Sequence, residues 1–276
     1  MKRALLGLLV GAIGYGILLF PSAADEWTAE EINRTIEQTN FIVNRGCSGT
    51  LIAPGLILTN YHCIDGNVDT VEREVRMPDG TVAKKKFRKF TDVATEQKTY
   101  SGFVLTGSAN YVAEIVAAEK TQDLALLKLK GNTPHTYFAH IIPDGQPVLR
   151  GEKVWIVGNP LGVLDSSVTA GIVSNANRSL DPPWADGGRI PVLQISGGMS
   201  GGNSGGALYD SKGRLVGIPF AGYRGDGHLG FAITIDVVKA FLRENCFAST
   251  FDKSANDDRC RGEKMLRAKA DPANKE

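Results

Sequence analysis

The chain has 276 residues, 42% of them apolar and 22% charged, with 32 glycines. That balance excludes wholesale disorder, and the length suffices for one large all-β domain or two small ones burying roughly three quarters of their unfolded surface. Thirty-one basic against 30 acidic residues leave a net charge of +1. No global field draws such a chain onto nucleic acid and no nucleic-acid motif is present, so that partner class is excluded.

Met1-Lys2-Arg3 precedes an apolar run from Ala4 to Phe20, then Pro21-Ser22-Ala23-Ala24. A basic start, an apolar centre and small residues at the end predict a secretory signal over residues 1–24, cut after Ala24. The run of 17 residues also reaches the lower bound of a membrane span, so left uncleaved it would anchor the chain to the membrane. Either way the body is exported, periplasmic or secreted. Export permits disulfides. The four cysteines, Cys47, Cys63, Cys246 and Cys260, allow three pairings, and their order suggests Cys47–Cys63 and Cys246–Cys260. No Cys-x-x-Cys or His-x-x-x-His spacing supports zinc, and neither a metal nor a cofactor is expected.

Residues 26–38 read as a helix, with Thr28 as N-cap, Glu31 completing a capping box, and Ile32 and Ile36 one turn apart. Beyond it short β-branched segments recur between turn residues and predict strands: Thr50–Ile52, Leu56–Thr59, Leu124–Leu129, Val154–Val157, Val168–Ser174, Val192–Ile195, Arg214–Phe220 and Leu229–Thr234. Many short strands without interleaved helices point to barrels or sandwiches. Gly and Pro cluster over residues 131–150, which reads as the boundary between two β units. The basic run Lys84–Lys89 reads as a solvated face. Asp236 caps a final helix with Val237, Val238, Phe241 and Leu242 on its apolar face. Past Phe251 the polar tail reads as flexible except where Cys260 ties it.

Three stretches can carry chemistry: Leu58-Thr-Asn-Tyr-His62-Cys63, Thr121-Gln-Asp123-Leu-Ala-Leu-Leu, and Gly201-Gly-Asn-Ser204-Gly-Gly. The glycine loop lacks the Lys and Ser/Thr of a phosphate loop. It could be a plain turn, or hold a serine beside converging N–H groups that stabilise an oxyanion. A serine hydroxyl is a poor nucleophile without a base. An imidazole suits that role, and a buried carboxylate fixes its tautomer. His62, Asp123 and Ser204 supply those three groups. His135, His140 and His228 have no partner motif and read as structural or surface residues.

These stretches, with Cys47-Ser-Gly-Thr-Leu-Ile, Gly158-Asn-Pro-Leu-Gly, Ser167-Val-Thr-Ala-Gly-Ile-Val-Ser and Gly230-Phe-Ala-Ile, resemble the trypsin-like (chymotrypsin-fold) serine peptidases, and among them the HtrA/Deg-type branch. The likeness covers roughly residues 40–243. It implies two six-stranded antiparallel barrels, over about 39–140 and 141–235, within a peptidase domain of residues 25–243, followed by a C-terminal helix and a polar tail over 244–276. It also implies His62 as general base, Asp123 as its orienting partner, Ser204 as nucleophile, and the N–H groups of Gly202 and Ser204 as oxyanion hole. The Cys47–Cys63 bridge matches the same pattern. By the same likeness Gly198, Phe220 and Gly222 line the specificity pocket, and the strand from Ile218 to Gly222 pairs with substrate backbone. No acidic residue marks the pocket base, which favours an apolar substrate side chain.

The chain departs from that pattern in four places. Asn203 stands where activated digestive peptidases carry Asp. Residues 72–110 look like an insertion. The chain ends too soon for the usual peptide-binding PDZ domain. The stretch from Ser196 to Gly202 is unusually glycine-rich, so the oxyanion hole could form only with substrate. The expected function is an exported serine endopeptidase acting on proteins or peptides. The alternatives are an impaired, peptidase-like binding protein and a peptidase awaiting an effector. The sequence is silent on oligomeric state.

Overall fold

The computed structural model describes residues 27–270 apart from 78, 102–103, 163, 165 and 224–225. The expected signal or anchor over 1–24 lies outside the described residues. Among them, no helix is long and apolar enough to cross a membrane.

Helix α1 (Ala29–Thr39) carries the full capping box: Glu31 N–H donates to Thr28 Oγ1 at 3.2 Å, and Thr28 N–H to the Glu31 carboxylate at 2.9 Å. Just before it, Trp27 stacks on Tyr209 and Trp155 with ring centroids 5.0 and 5.8 Å away. A Cβ on Gly213 would lie 2.6 Å from the Trp27 indole, so glycine is required beneath the ring. The N-terminal segment is thus fastened to the second half of the fold before the first barrel begins.

Strands β1 (Asn40–Val43), β2 (Cys47–Ala53), β3 (Leu56–Thr59), β6 (Val93–Ser101), β7 (Val104–Glu119) and β8 (Leu124–Leu129) close into a barrel in the order β1-β2-β3-β8-β7-β6. Phe41, Leu51, Ile57, Leu127 and their neighbours fill it. The expectation of an insertion over 72–110 needs correction. Only β4 (Val68–Arg76) and β5 (Val82–Phe90) form a separate hairpin; β6 and β7 are barrel strands, and β6 completes closure by pairing Ile42 with Glu96 and Val43 with Thr95. The basic run lies on β5, with Lys86 opposite Glu72 and Lys84 opposite Glu74, an arrangement of opposite charges that favours the pairing.

The second barrel uses β10 (Lys153–Gly158), β11 (Ser167–Leu180), β12 (Ile190–Ser196), β13 (Ala207–Asp210), β14 (Arg214–Tyr223) and β15 (Asp226–Thr234), and closes through β13–β14. The two-residue strand β9 (His140–Ile141) adds to β14 in parallel. All barrel pairings are antiparallel, the chymotrypsin-type pair expected from the resemblance. One apolar cluster runs from Ile52, Leu58 and Leu124 of the first barrel to Trp155, Val192 and Ile218 of the second, so the barrels share a core at their junction.

Helix α2 (Ile235–Glu244) follows, with Val238, Phe241 and Leu242 buried. Its N-cap residue is Thr234, and Asp236 sits within the first turn. The tail carries a helix, α3 (Asp257–Ala270), tied by Cys246–Cys260 and by Arg261 lying 5.4 Å over the Phe247 ring, with Asn256 Oδ1 accepting from Arg259 N–H at 2.8 Å.

Candidate active site

β3 ends at Thr59, and a single 3₁₀ turn, Tyr61–Cys63, lifts His62 to the mouth of the cleft between the barrels. Tyr61, Cys63 and Ile64 are buried, and Cys63 is bridged to Cys47 on β2, so this turn cannot drift. Asp123 immediately precedes β8. It holds φ 52°, a left-handed conformation that Asp tolerates better than most residues. Its carboxylate is fully buried. Oδ1 accepts the His62 backbone N–H at 2.9 Å, and Oδ2 lies 2.8 Å from His62 Nδ1. A carboxylate only accepts, so Nδ1 carries a proton. Asn60 Nδ2 donates to the Asp123 carbonyl at 2.9 Å and fixes the main chain from the other side.

Ser204 lies on the turn from β12 to β13. Its main chain is clamped from the first barrel by one residue, Ser48. Ser48 N–H donates to Ser204 O at 2.8 Å, and Ser48 Oγ donates to Gly202 O at 2.7 Å. The same Ser48 Oγ accepts from Asn159 N–H at 2.8 Å, while Asn159 Nδ2 donates to Phe41 O at 2.9 Å. The Cys47-Ser-Gly-Thr and Gly158-Asn-Pro stretches therefore meet around the serine turn. Gly205 has φ +81°, and a Cβ there would lie 2.2 Å from Ser48 O, so only glycine fits. Among the described residues, the N–H groups of Gly202 and Ser204 have no hydrogen-bond partner. The Ser204 hydroxyl donates to Phe220 O at 3.3 Å and is not hydrogen-bonded to His62.

A cavity of about 440 Å³ opens beside Ser204, lined by Trp184, Met199, Phe220, Gly222 and Tyr223 among others. Phe220 and Gly222 thus stand at the pocket. The Ile218 side chain is fully buried in the shared core and is not among the lining residues. Gly198 is not among the lining residues; its neighbour Met199 is. His135 is held structurally, with Nε2 2.7 Å from Gln97 Oε1, the ring against Phe41 and Tyr111, and its pKa lowered by burial. His140 opens β9 and His228 lies on β15. Cys47 and Cys63 approach His62, but both sulfurs are bonded to each other and offer no thiolate to a metal.

Two residues of this site escaped the sequence reading. Ser48 is one. The other is Trp184, which donates its indole N–H to Asp123 Oδ2 at 3.0 Å and sets its ring 5.6 Å from that of His62. The only local signal for Trp184 was a tryptophan in a Pro/Gly-rich turn.

Two antiparallel barrels flanking a cleft with an imidazole–carboxylate pair and a serine on a glycine turn define the chymotrypsin-fold class of serine-peptidase type. Residues 47–218 match the trypsin-like peptidase domain family. The chain belongs to that family, and its relatives include serine proteases of the HtrA/Deg type. Magnetosome formation protease MamE of Paramagnetospirillum magneticum is 30% identical over 207 residues, which are 74% of this chain and 24% of that protein. A probable periplasmic serine endoprotease, DegP-like, of Halomonas elongata is 36% identical over 194 residues, 69% of this chain and 33% of its own length. The crystal structure of the serine endoprotease from Yersinia pestis shares the fold, with a TM-score of 0.56 at 22% identity, covering 79% of this chain and 66% of that one. The chain spans a third or less of the length of the two relatives named first.

Proposed function

We propose that the chain is an exported serine endopeptidase that cleaves peptide bonds of proteins through His62, Asp123 and Ser204. The observation that carries this reading is the His62–Asp123 pair, with Nδ1 2.8 Å from a buried carboxylate and the imidazole 5.6 Å from the Trp184 ring that lines the cavity beside Ser204. In the reaction Ser204 Oγ attacks the scissile carbonyl carbon while His62 Nε2 takes its proton. The Gly202 and Ser204 N–H groups receive the developing oxyanion. His62 then returns the proton to the leaving amine, and a water activated in the same way releases the acyl group from Ser204. Two disulfides and a signal-like N-terminus support an oxidising compartment outside the cytosol, and the Halomonas relative is itself named periplasmic.

The Ser204 hydroxyl resting on Phe220 O favours one second reading: the site is completed only when substrate or an effector turns the hydroxyl toward His62. A fluorophosphonate probe separates the possibilities by intact mass. Stoichiometric labelling of the wild-type chain, abolished in Ser204→Ala and reduced by orders of magnitude in His62→Ala, supports the endopeptidase. Weak labelling that rises when peptide is added supports the effector-completed form. An unlabelled, folded chain with its Cys47–Cys63 bridge intact would mean a binding protein.

A further inference from the structure

The buried Asp123 carboxylate accepts three N–H donors, and one of them comes from the opposite barrel. His62 supplies its main-chain N–H and Nδ1–H; the third is the Trp184 indole, 3.0 Å from Oδ2. Trp184 lies on the connection from β11 to β12, a tight loop in which Ala185 N–H donates to Pro182 O at 3.0 Å and Gly188 N–H to Ala185 O at 2.8 Å. That loop is docked on the turn that carries Asp123. Lys120 Nζ reaches Asp186 Oδ2 at 3.2 Å, and Gly188 approaches so closely that a Cβ would lie 2.1 Å from Thr121 O. The docking delivers an indole to a carboxylate that already has a partner. The same ring stands edge-on to His62 at 5.6 Å and to Phe220 at 6.4 Å, and forms one wall of the cavity beside Ser204. Trp184 remains 37% exposed.

From this geometry we infer that Trp184 is a positioning residue that couples substrate seating to the Asp123–His62 pair. Its N–H orients the carboxylate; its ring is packed into place by a bulky apolar substrate side chain seated in the cavity that Trp184, Met199 and Phe220 line. An apolar occupant suits the site because the exposed ring faces a cavity whose other large walls are Met199, Phe220 and Tyr223. A substrate with a small side chain leaves the ring unsupported, so the indole holds Asp123 less firmly and turnover falls with binding. The inference rests on the peptidase reading.

Trp184→Phe keeps the apolar wall and removes only the N–H. On peptides with a bulky apolar side chain beside the scissile bond, it should lower kcat about tenfold, the contribution of one hydrogen bond to a charged group, with KM little changed. Trp184→Ala should lower kcat as well and raise KM for the bulky peptides, narrowing the preference over alanine-bearing ones. An activity-independent readout accompanies these assays. The three tryptophans give three indole N–H signals, and Asp123→Asn in the full chain should move the one that Trp184→Phe deletes while leaving Trp27 and Trp155 in place. A labelled wild-type enzyme whose kcat is unchanged by Trp184→Phe, or whose Trp184 indole signal ignores Asp123→Asn, overturns the inference and leaves the peptidase standing. A wild-type chain that neither labels nor hydrolyses overturns the peptidase reading, and the coupling with it, even if the indole responds.

Discussion

Ser48 touches no reacting atom, yet its hydroxyl and main-chain N–H hold the carbonyls on both sides of the serine turn, at Gly202 and Ser204. Replacing it with alanine keeps the main-chain bond and leaves Asn159 N–H without its buried acceptor. An unsatisfied buried group of this kind costs about 1–3 kcal/mol. Ser48→Ala should therefore lower the unfolding free energy from urea titration by that amount and slow fluorophosphonate labelling of Ser204 at saturating probe. A normal labelling rate in the destabilised variant would show that Ser48 serves folding alone. The candidates His62, Asp123 and Ser204 could be picked out of the chain because a serine nucleophile, its base and an orienting acid call for those residue types, and the structure sets His62 against Asp123. Ser48 and Trp184 could not be picked out, because a hydroxyl or an indole acquires such a role only from what tertiary folding sets opposite it.

Among the elements, α2 shows how a helix fixes a loop it never touches in sequence. Lys239 is buried, 2% exposed, and its ammonium reaches Asp144 Oδ1 at 2.9 Å; Arg243, one turn on, reaches Oδ2 at 2.5 Å. The Lys239 hydrogen bond pulls the Asp144 carboxyl below its ordinary pKa. A carboxylate lowered by folding stabilises at pH above its unfolded value, about 4, and that contribution is lost as pH falls through the folded value. Asp144 is 58% exposed, so screening by water limits the effect to about 1 kcal/mol. Asp144→Asn should melt lower than wild type at neutral pH, and the gap should close as pH falls below the ordinary Asp range. An equal gap at both pH values would assign the loss to packing rather than charge. The strands bounded by Gly, Pro and Asn were readable, with Leu56–Thr59 and Leu124–Leu129 matching β3 and β8 end to end. Within 72–110 the barrel strands β6 and β7 hid, because their outer ends are exposed and carry the polar residues of a loop. Helix α3 hid because it has no apolar stripe; a disulfide and an Asn256 cap hold it instead.

At the scale of the molecule the two disulfides divide the labour between site and scaffold. Cys47–Cys63 spans 16 residues that include β2, β3 and the start of the His62 turn, and its second cysteine abuts Ser204 O at 3.7 Å. Cys246–Cys260 spans 14 residues of the C-terminal segment. That segment returns toward the first barrel, where Phe247, Asp257 and Arg261 join Pro54, Leu56 and Lys128 around a separate cavity of about 490 Å³. None of those residues lines the Ser204 cavity. Closing loops of such similar length constrains the unfolded chain equally, by roughly 3 kcal/mol each in the chain-entropy account. Their effects on function should nevertheless part. The Cys47→Ser/Cys63→Ser variant should lose stability of that order and, in the fraction still folded, label Ser204 more slowly, because His62 is no longer braced from β2. The Cys246→Ser/Cys260→Ser variant should lose similar stability while its folded fraction labels at the wild-type rate. Thermal melts and labelling time courses on the two variants decide the matter: equal slowing in both would mean that the C-terminal helix, too, communicates with the cleft.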